Sequence, residues 1–154
     1  MKIVLKRILV PTDFSEHARA AVIYGLALVE EFQASLHVLH VVDEIPGVDP
    51  VLPLPARKKV ERKIESRAWE ELRTLLPEEE SNRVRTFLAL EWGTPAVEII
   101  RYAKGHAIDL IALGTHGRGL QHVLMGSVTE SVVREAPCPV LTLHHPEREF
   151  VLPA

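Results

Sequence analysis

Four glycines, Gly114, Gly117, Gly119 and Gly126, fall within 13 residues of the stretch "LGTHGRGLQHVLMGSVTESVV", and an amphipathic helix pattern follows at once. Glycine accepts positive φ and lets backbone N–H groups approach a ligand closely. A helix N-terminus carries roughly half a positive charge and several N–H groups without an intrahelical partner, so such a junction suits an anion, above all phosphate. Ser127 and Glu130 have capping-box spacing and place the helix start at Gly126–Ser127. Arg118 can add a full charge, because guanidinium pairs well with phosphate oxygens. Backbone donors, the helix dipole and burial of a base could together supply the ~8 kcal/mol of a micromolar complex. The plainer reading is turn punctuation before a helix that binds nothing.

Other residues with chemistry are few. Asp13 closes "VPTD" and, if the strands before Asp13 and Gly114 are neighbours, faces the glycine-rich loop across a crevice. It reads equally as a helix cap or a ligand contact. Asp13 and His116 are the only candidates for positioning a metal or a water. No G-x4-G-K-[S/T], G-x-S-x-G or H-E-x-x-H motif is present. His37 and His40 lie three apart on an expected strand and point to opposite faces, as would His144 and His145. His116 and His122 have no carboxylate or thiol beside them in sequence, which speaks against structural zinc. Cys138 reads as a small buried hydrophobe rather than a redox sensor.

Elements must hold these residues in place. "RILVPTD" (7–13) has the continuous apolar centre of a strand buried on both faces. A helix follows, capped by Asp13 or Ser15, with Glu16 three residues after Asp13. "SLHVLHVVDE" (35–44) is a second strand, and 45–55 is a proline-rich loop. A solvent-exposed helix over 56–76 shows a stripe at Val60, Ile64, Ala68, Leu72 and Leu75, and Pro77 stops it. Strand three spans 83–92. The next helix has Thr94 as N-cap, Pro95 first and Gly105 as a left-handed stop. Strand four spans 108–114, and the last helix leads to a short strand within 137–145, late-starting or at an edge because Pro139 donates no hydrogen bond. Alternating strands and helices imply a parallel sheet with helices on both faces, and ligands then bind beyond the carboxyl ends of the strands.

The chain has 154 residues, 47% hydrophobic and 25% charged, which fits one globular domain spanning 1–154. A net charge of −3 gives no bulk reason to expect nucleic acid or an anionic membrane. With one cysteine, no secretory leader in "MKIVLKRILVPTD" and no bilayer-length apolar run, a soluble cytoplasmic protein is expected.

"ILVPTDFSEHARAAVIYGLALV", "LHVVDE", "GTPAVEII", "DLIALGTHGR" and "MGSVTESVVREAPCPVLTL" together resemble a universal stress protein, in family order and over nearly the whole chain. The resemblance implies an open five-stranded parallel sheet of order 3-2-1-4-5, Rossmann-like and of the adenine nucleotide alpha hydrolase type. It also implies a homodimer, joined through the last strand (Val140 to Leu143), and a division into members that bind ATP and members that do not. Gly114, Gly117, Gly126 and Ser127 match the ATP binders' G-x2-G-x9-G-[S/T], except that eight residues separate Gly117 from Gly126 where the pattern has nine. Gly119 lies in that span and can absorb the change. By this resemblance Pro11, Thr12, Asp13 and Val41 would meet adenine or ribose. Gly114, Thr115, His116, Gly117 and Arg118 would wrap ribose and phosphates, and Gly126, Ser127 and Val128 would hold phosphate. The expected ligand is ATP, with any Mg or Mn ion accompanying its phosphates. The expected role is a nucleotide-responsive regulatory dimer in the stress response, acting on an unidentified downstream partner and not an enzyme. The alternatives are a weak ATPase and a dimer that binds no nucleotide.

Overall fold

The computed structural model describes residues 1–43, 51–115 and 125–144. Strands β1 (Arg7–Pro11), β2 (Ser35–Val42), β3 (Thr86–Trp92), β4 (Leu110–Gly114) and β5 (Val140–Leu143) form one parallel sheet of order β3-β2-β1-β4-β5. Between them run α1 (Glu16–Phe32), α2 (Leu54–Leu75), α3 (Glu78–Arg83), α4 (Pro95–Gly105) and α5 (Ser127–Glu135). The architecture and strand order are those expected from the sequence. Among the described residues no helix is long and apolar enough to cross a membrane.

The unbroken apolar runs of the central strands follow from burial on two faces. Ile8 and Val10 of β1, Leu36 and Val38 of β2 and Ala112 of β4 pack with Val22, Leu26 and Val29 of α1 and Leu72 of α2. Leu9, Leu39, Ile111 and Leu113 point the opposite way, against Ile99 and Ala103 of α4 and Val132 of α5. Each such Val, Leu or Ile side chain, taken wholly from water, contributes roughly 1.5–3 kcal/mol. Gly25 lets α1 lie close on β1, since a Cβ there would come within 2.5 Å of Val10 Cγ2.

Local details differ from the sequence-based expectations. The cap of α1 is Ser15, whose Oγ accepts from the Ala18 N–H at 3.2 Å, so the Asp13–Glu16 capping box does not form. Gly126 is the N-cap of α5, at φ −69°, without a side-chain cap. Ser127 is therefore already inside the helix, and Glu130 pairs with Arg134 at 2.7 Å instead of reaching back. Gly105 belongs to α4, and the left-handed residue beyond it is Ala107, at φ 48°. α2 begins at Leu54 inside the expected proline loop, because proline is tolerated in a helix's first turn. Residues 45–50 of that loop, and residue 44 at the end of the expected second strand, lie outside the described residues. The expected start of strand three is occupied by α3, led by Glu78, Glu79 and Glu80, where acidic groups favour a helix start. Cys138 is only partly buried, and burial pushes its thiol pKa up, away from the reactive thiolate.

Beneath α4, His37 is 5% exposed, with its Nδ1 2.8 Å from the Tyr102 hydroxyl and its ring stacked on Phe87 at 4.8 Å. Burial, then the nearby His106 and Arg7, lower its pKa from 6.5 to about 4. Burial also raises the Tyr102 pKa, so the phenol keeps its proton while hydrogen-bonded to a neutral His37. The unfolded chain binds a proton at His37 below pH 6.5, whereas the folded chain does so only near pH 4. The stability from this site is full above 6.5 and is lost as pH falls toward 4. Thermal melts across that window should show a smaller loss for His37→Gln than for the parent. An equal loss would mean His37 does not carry the effect.

Candidate functional site

The turn after β1 is held from several directions. The Thr12 N–H donates to the Leu39 carbonyl at 2.8 Å, the Phe14 N–H to Thr12 Oγ1 at 3.0 Å and the Ser15 N–H to Asp13 Oδ1 at 3.0 Å. His40 Nδ1 lies 2.8 Å from the Thr12 carbonyl, and its ring meets Phe14 at 4.4 Å. Phe14 sits at φ 64°, a costly conformation for a large side chain, which the surrounding bonds enforce. Asp13 is thereby fixed at the carboxyl end of β1. Its side chain braces the turn without capping α1.

The end of β4 fixes two helices. A Cβ on Gly114 would lie 2.9 Å from the His17 carbonyl oxygen, so the first turn of α1 occupies the space of a side chain. This steric demand, not positive φ, explains Gly114; among the described glycines only Gly93 has positive φ. The Gly114 carbonyl accepts from Thr129 Oγ1 at 2.8 Å, and the Thr115 carbonyl accepts from the Gly126 N–H at 2.6 Å. The Thr115 N–H donates to the Leu143 carbonyl at 2.9 Å. Strand end, helix start and final strand are tied at one point.

Between these two ends opens a cleft of about 350 Å³, within the range of small-molecule sites. Leu39, Val41, Ile99 and Leu113 give it apolar walls, Asp13 and Asp43 give it acidic groups, and Gly126, Ser127, Val128 and Thr129 bring the first turn of α5 to it. The N–H groups of residues 127–129 lie in that first turn, where a helix leaves its donors without intrahelical partners. No Lys, Arg or His lines the cleft among the described residues. Among the described residues no cluster of three His, Cys, Asp or Glu is arranged around a metal position.

Of the residues singled out in the sequence, Pro11, Thr12, Asp13, Val41, Gly114, Gly126, Ser127 and Val128 line this cleft together. Thr115 does not: it is fully buried behind the wall, where its backbone braces α5 and β5. His116, Gly117, Arg118 and Gly119 lie outside the described residues. Ala18, Leu39, Asp43, Pro95, Ile99, Leu113 and Thr129 also line the cleft and were not foreseen. Asp43 stands just beyond β2 as Asp13 does beyond β1, so the strand-end rule could have found it. Ile99 and Pro95 depend on where α4 crosses the sheet, which no local motif announces.

The universal stress protein family model matches residues 5–144. A universal stress protein of Methanocaldococcus jannaschii is 34% identical over 94% of this chain and 85% of its own length, and one of Thermus aquaticus is 34% identical over 88% and 96%. The solved structure of a Lactobacillus plantarum universal stress protein superposes with a TM-score of 0.81 at 31% identity, covering 92% of this chain and 99% of that one. A universal stress protein solved in complex with cAMP shares the fold at 19% identity, covering 94% of this chain and all of its own, with a TM-score of 0.66. The chain belongs to the universal stress protein family.

A side chain at Gly114 must displace backbone rather than a flexible group. Gly114→Val should therefore lower stability by about 1–3 kcal/mol, read from denaturant unfolding. An unchanged unfolding midpoint would remove the tight packing of α1 on β4 from this account.

Proposed function

We propose that this protein binds ATP in the cleft between β1 and β4 and works as a nucleotide-responsive homodimer in the stress response. One observation carries the reading: the uncapped first turn of α5 opens into the same cleft as an apolar wall and an acidic strand end. These three features suit three parts of one molecule. Leu39, Val41 and Ile99 can cover a planar base. Asp13 can accept from ribose hydroxyls, with Pro11 and Thr12 shaping the floor beside it. The amides of Ser127 and Val128, together with Gly126, suit phosphate oxygens, and the helix dipole adds to their attraction. Gly114, with His116, Gly117, Arg118 and Gly119, is assigned to the ribose and phosphates by family pattern, while Thr115 is left as a brace behind the wall. Because the described lining holds two acidic groups and no basic one, a Mg or Mn ion carried with the phosphates would ease the charge balance. A fold relative that holds cAMP, an adenine nucleotide, points the same way.

The role assigned is binding rather than catalysis. Asp13 already braces its own turn through Ser15, which suits a fixed contact better than proton transfer. The dimer is assigned to β5. The carbonyls of Pro139 and Leu143 accept from β4, so the backbone groups of Val140 and Thr142 face the open sheet edge. Pairing with a second copy would cover that edge and the exposed Leu141. A second reading, a dimer that binds no nucleotide, rests on the eight-residue span between Gly117 and Gly126.

Calorimetry should give micromolar affinity for ATP. Asp13→Asn keeps an acceptor for the Ser15 N–H but removes the charge, and should weaken binding about tenfold. Gly126→Val should abolish binding; unchanged affinity in both variants would exclude the assigned site. Light scattering should show a dimer that Thr142→Pro converts to a folded monomer. A monomeric parent, or a dimeric variant, would dismiss β5 as the seam.

A further inference from the structure

The ladder between β1 and β2 stops short of where its register would carry it. The strands pair in parallel as far as Pro11 and Leu39, from the Ser35 N–H on the Lys6 carbonyl to the Thr12 N–H on the Leu39 carbonyl. In a parallel ladder the next bonds would run from the Val41 N–H to the Thr12 carbonyl and from the Phe14 N–H to the Val41 carbonyl. Neither bond forms among the described residues. The Thr12 carbonyl instead lies 2.8 Å from His40 Nδ1, and the Phe14 N–H donates to Thr12 Oγ1 at 3.0 Å. A carbonyl oxygen only accepts, so the His40 ring is the donor.

Successive side chains on a strand point to opposite faces. Leu39 and Val41 line the cleft, so His40 reaches Thr12 from the face away from it, where its ring meets Phe14 at 4.4 Å. The Val41 N–H and carbonyl lie on the β1 side of β2, past the last rung, and are turned to the crevice. A donor and an acceptor side by side suit the edge of a base. The same contact orients the peptide that leads from Thr12 into Asp13. We infer that His40 is a positioning residue for nucleotide binding. By engaging the Thr12 carbonyl from behind, it keeps β1 from pairing with the Val41 backbone and seats Asp13 beside the ligand. This role rests on the nucleotide reading of the cleft, whereas the hold on the ladder depends on no ligand.

Amide hydrogen exchange and calorimetry on the full chain test this with three variants. His40→Leu removes the donor. His40→Gln keeps a polar amide but carries it one carbon farther out, and His40→Asn returns an N–H donor to the position of Nδ1. Without ligand, the Val41 amide should exchange fast in the parent and in His40→Asn. It should become protected in the Leu and Gln variants, where the Thr12 carbonyl is released to accept it. In those two variants affinity should fall about tenfold, and by the same factor for ATP and adenosine, because the loss is at the base and ribose. His40→Asn should bind like the parent. Circular dichroism confirms folding, and His40→Gln carries the test if His40→Leu does not fold. Unchanged affinity in a folded Leu or Gln variant, or an equal loss in His40→Asn, would overturn the role. A Val41 amide already protected in the parent would overturn the hold on the ladder. A parent that binds neither ligand would overturn the nucleotide reading and this role with it, while Val41 exchange would still read the hold by itself.

Discussion

Everything in the cleft depends on the few residues where β4 ends. Gly114 has no side chain because the backbone of His17 fills that space, and this sets how closely α1 approaches the sheet. Its carbonyl and that of Thr115 then hold Thr129 and Gly126, which sets where α5 begins. Two helix starts and two strand ends are fixed by one short stretch of backbone. Each hydrogen bond there contributes only about 1 kcal/mol net, but leaving a buried carbonyl unpaired costs more, so the arrangement resists local change.

That constraint recasts the glycine-rich stretch. Read as sequence, Gly114 and Gly126 suggest backbone freedom for a ligand. In the structure both have ordinary dihedral angles as far as positive φ is concerned, and Gly114 is small because protein, not ligand, lies against it. The sheet and its order were legible because apolar runs, helix periods and turn residues all agree, and the family resemblance supplies the order. Caps were less legible. Ser127 and Glu130 have capping-box spacing, yet Gly126 takes the cap position and Glu130 finds Arg134. Spacing alone does not say which residue stands at the boundary. α3 went unseen because its six residues carry no apolar stripe, and helical periodicity needs a longer segment to show.

The cleft was half legible. Residues at strand ends and at the start of α5 could be named, because a parallel sheet gathers its strand ends on one side. The wall from Leu39 and Ile99 could not, since it comes from β2 meeting a helix more than fifty residues later in the chain. Nor could the inward turn of Glu65 to Trp92 of β3, a contact between residues 27 apart in the chain.

In the proposed complex the first-turn amides of α5 meet the phosphates of a nucleotide held in this cleft. Titration of the 15N-labelled protein with ATP, followed by amide NMR shifts, tests it most directly. Large shifts are expected at the Ser127, Val128 and Thr129 amides, with smaller ones at Asp13 and Val41, and much weaker α5 shifts when adenosine replaces ATP. Unmoved α5 amides at saturating ATP, or equal shifts with adenosine, would contradict it.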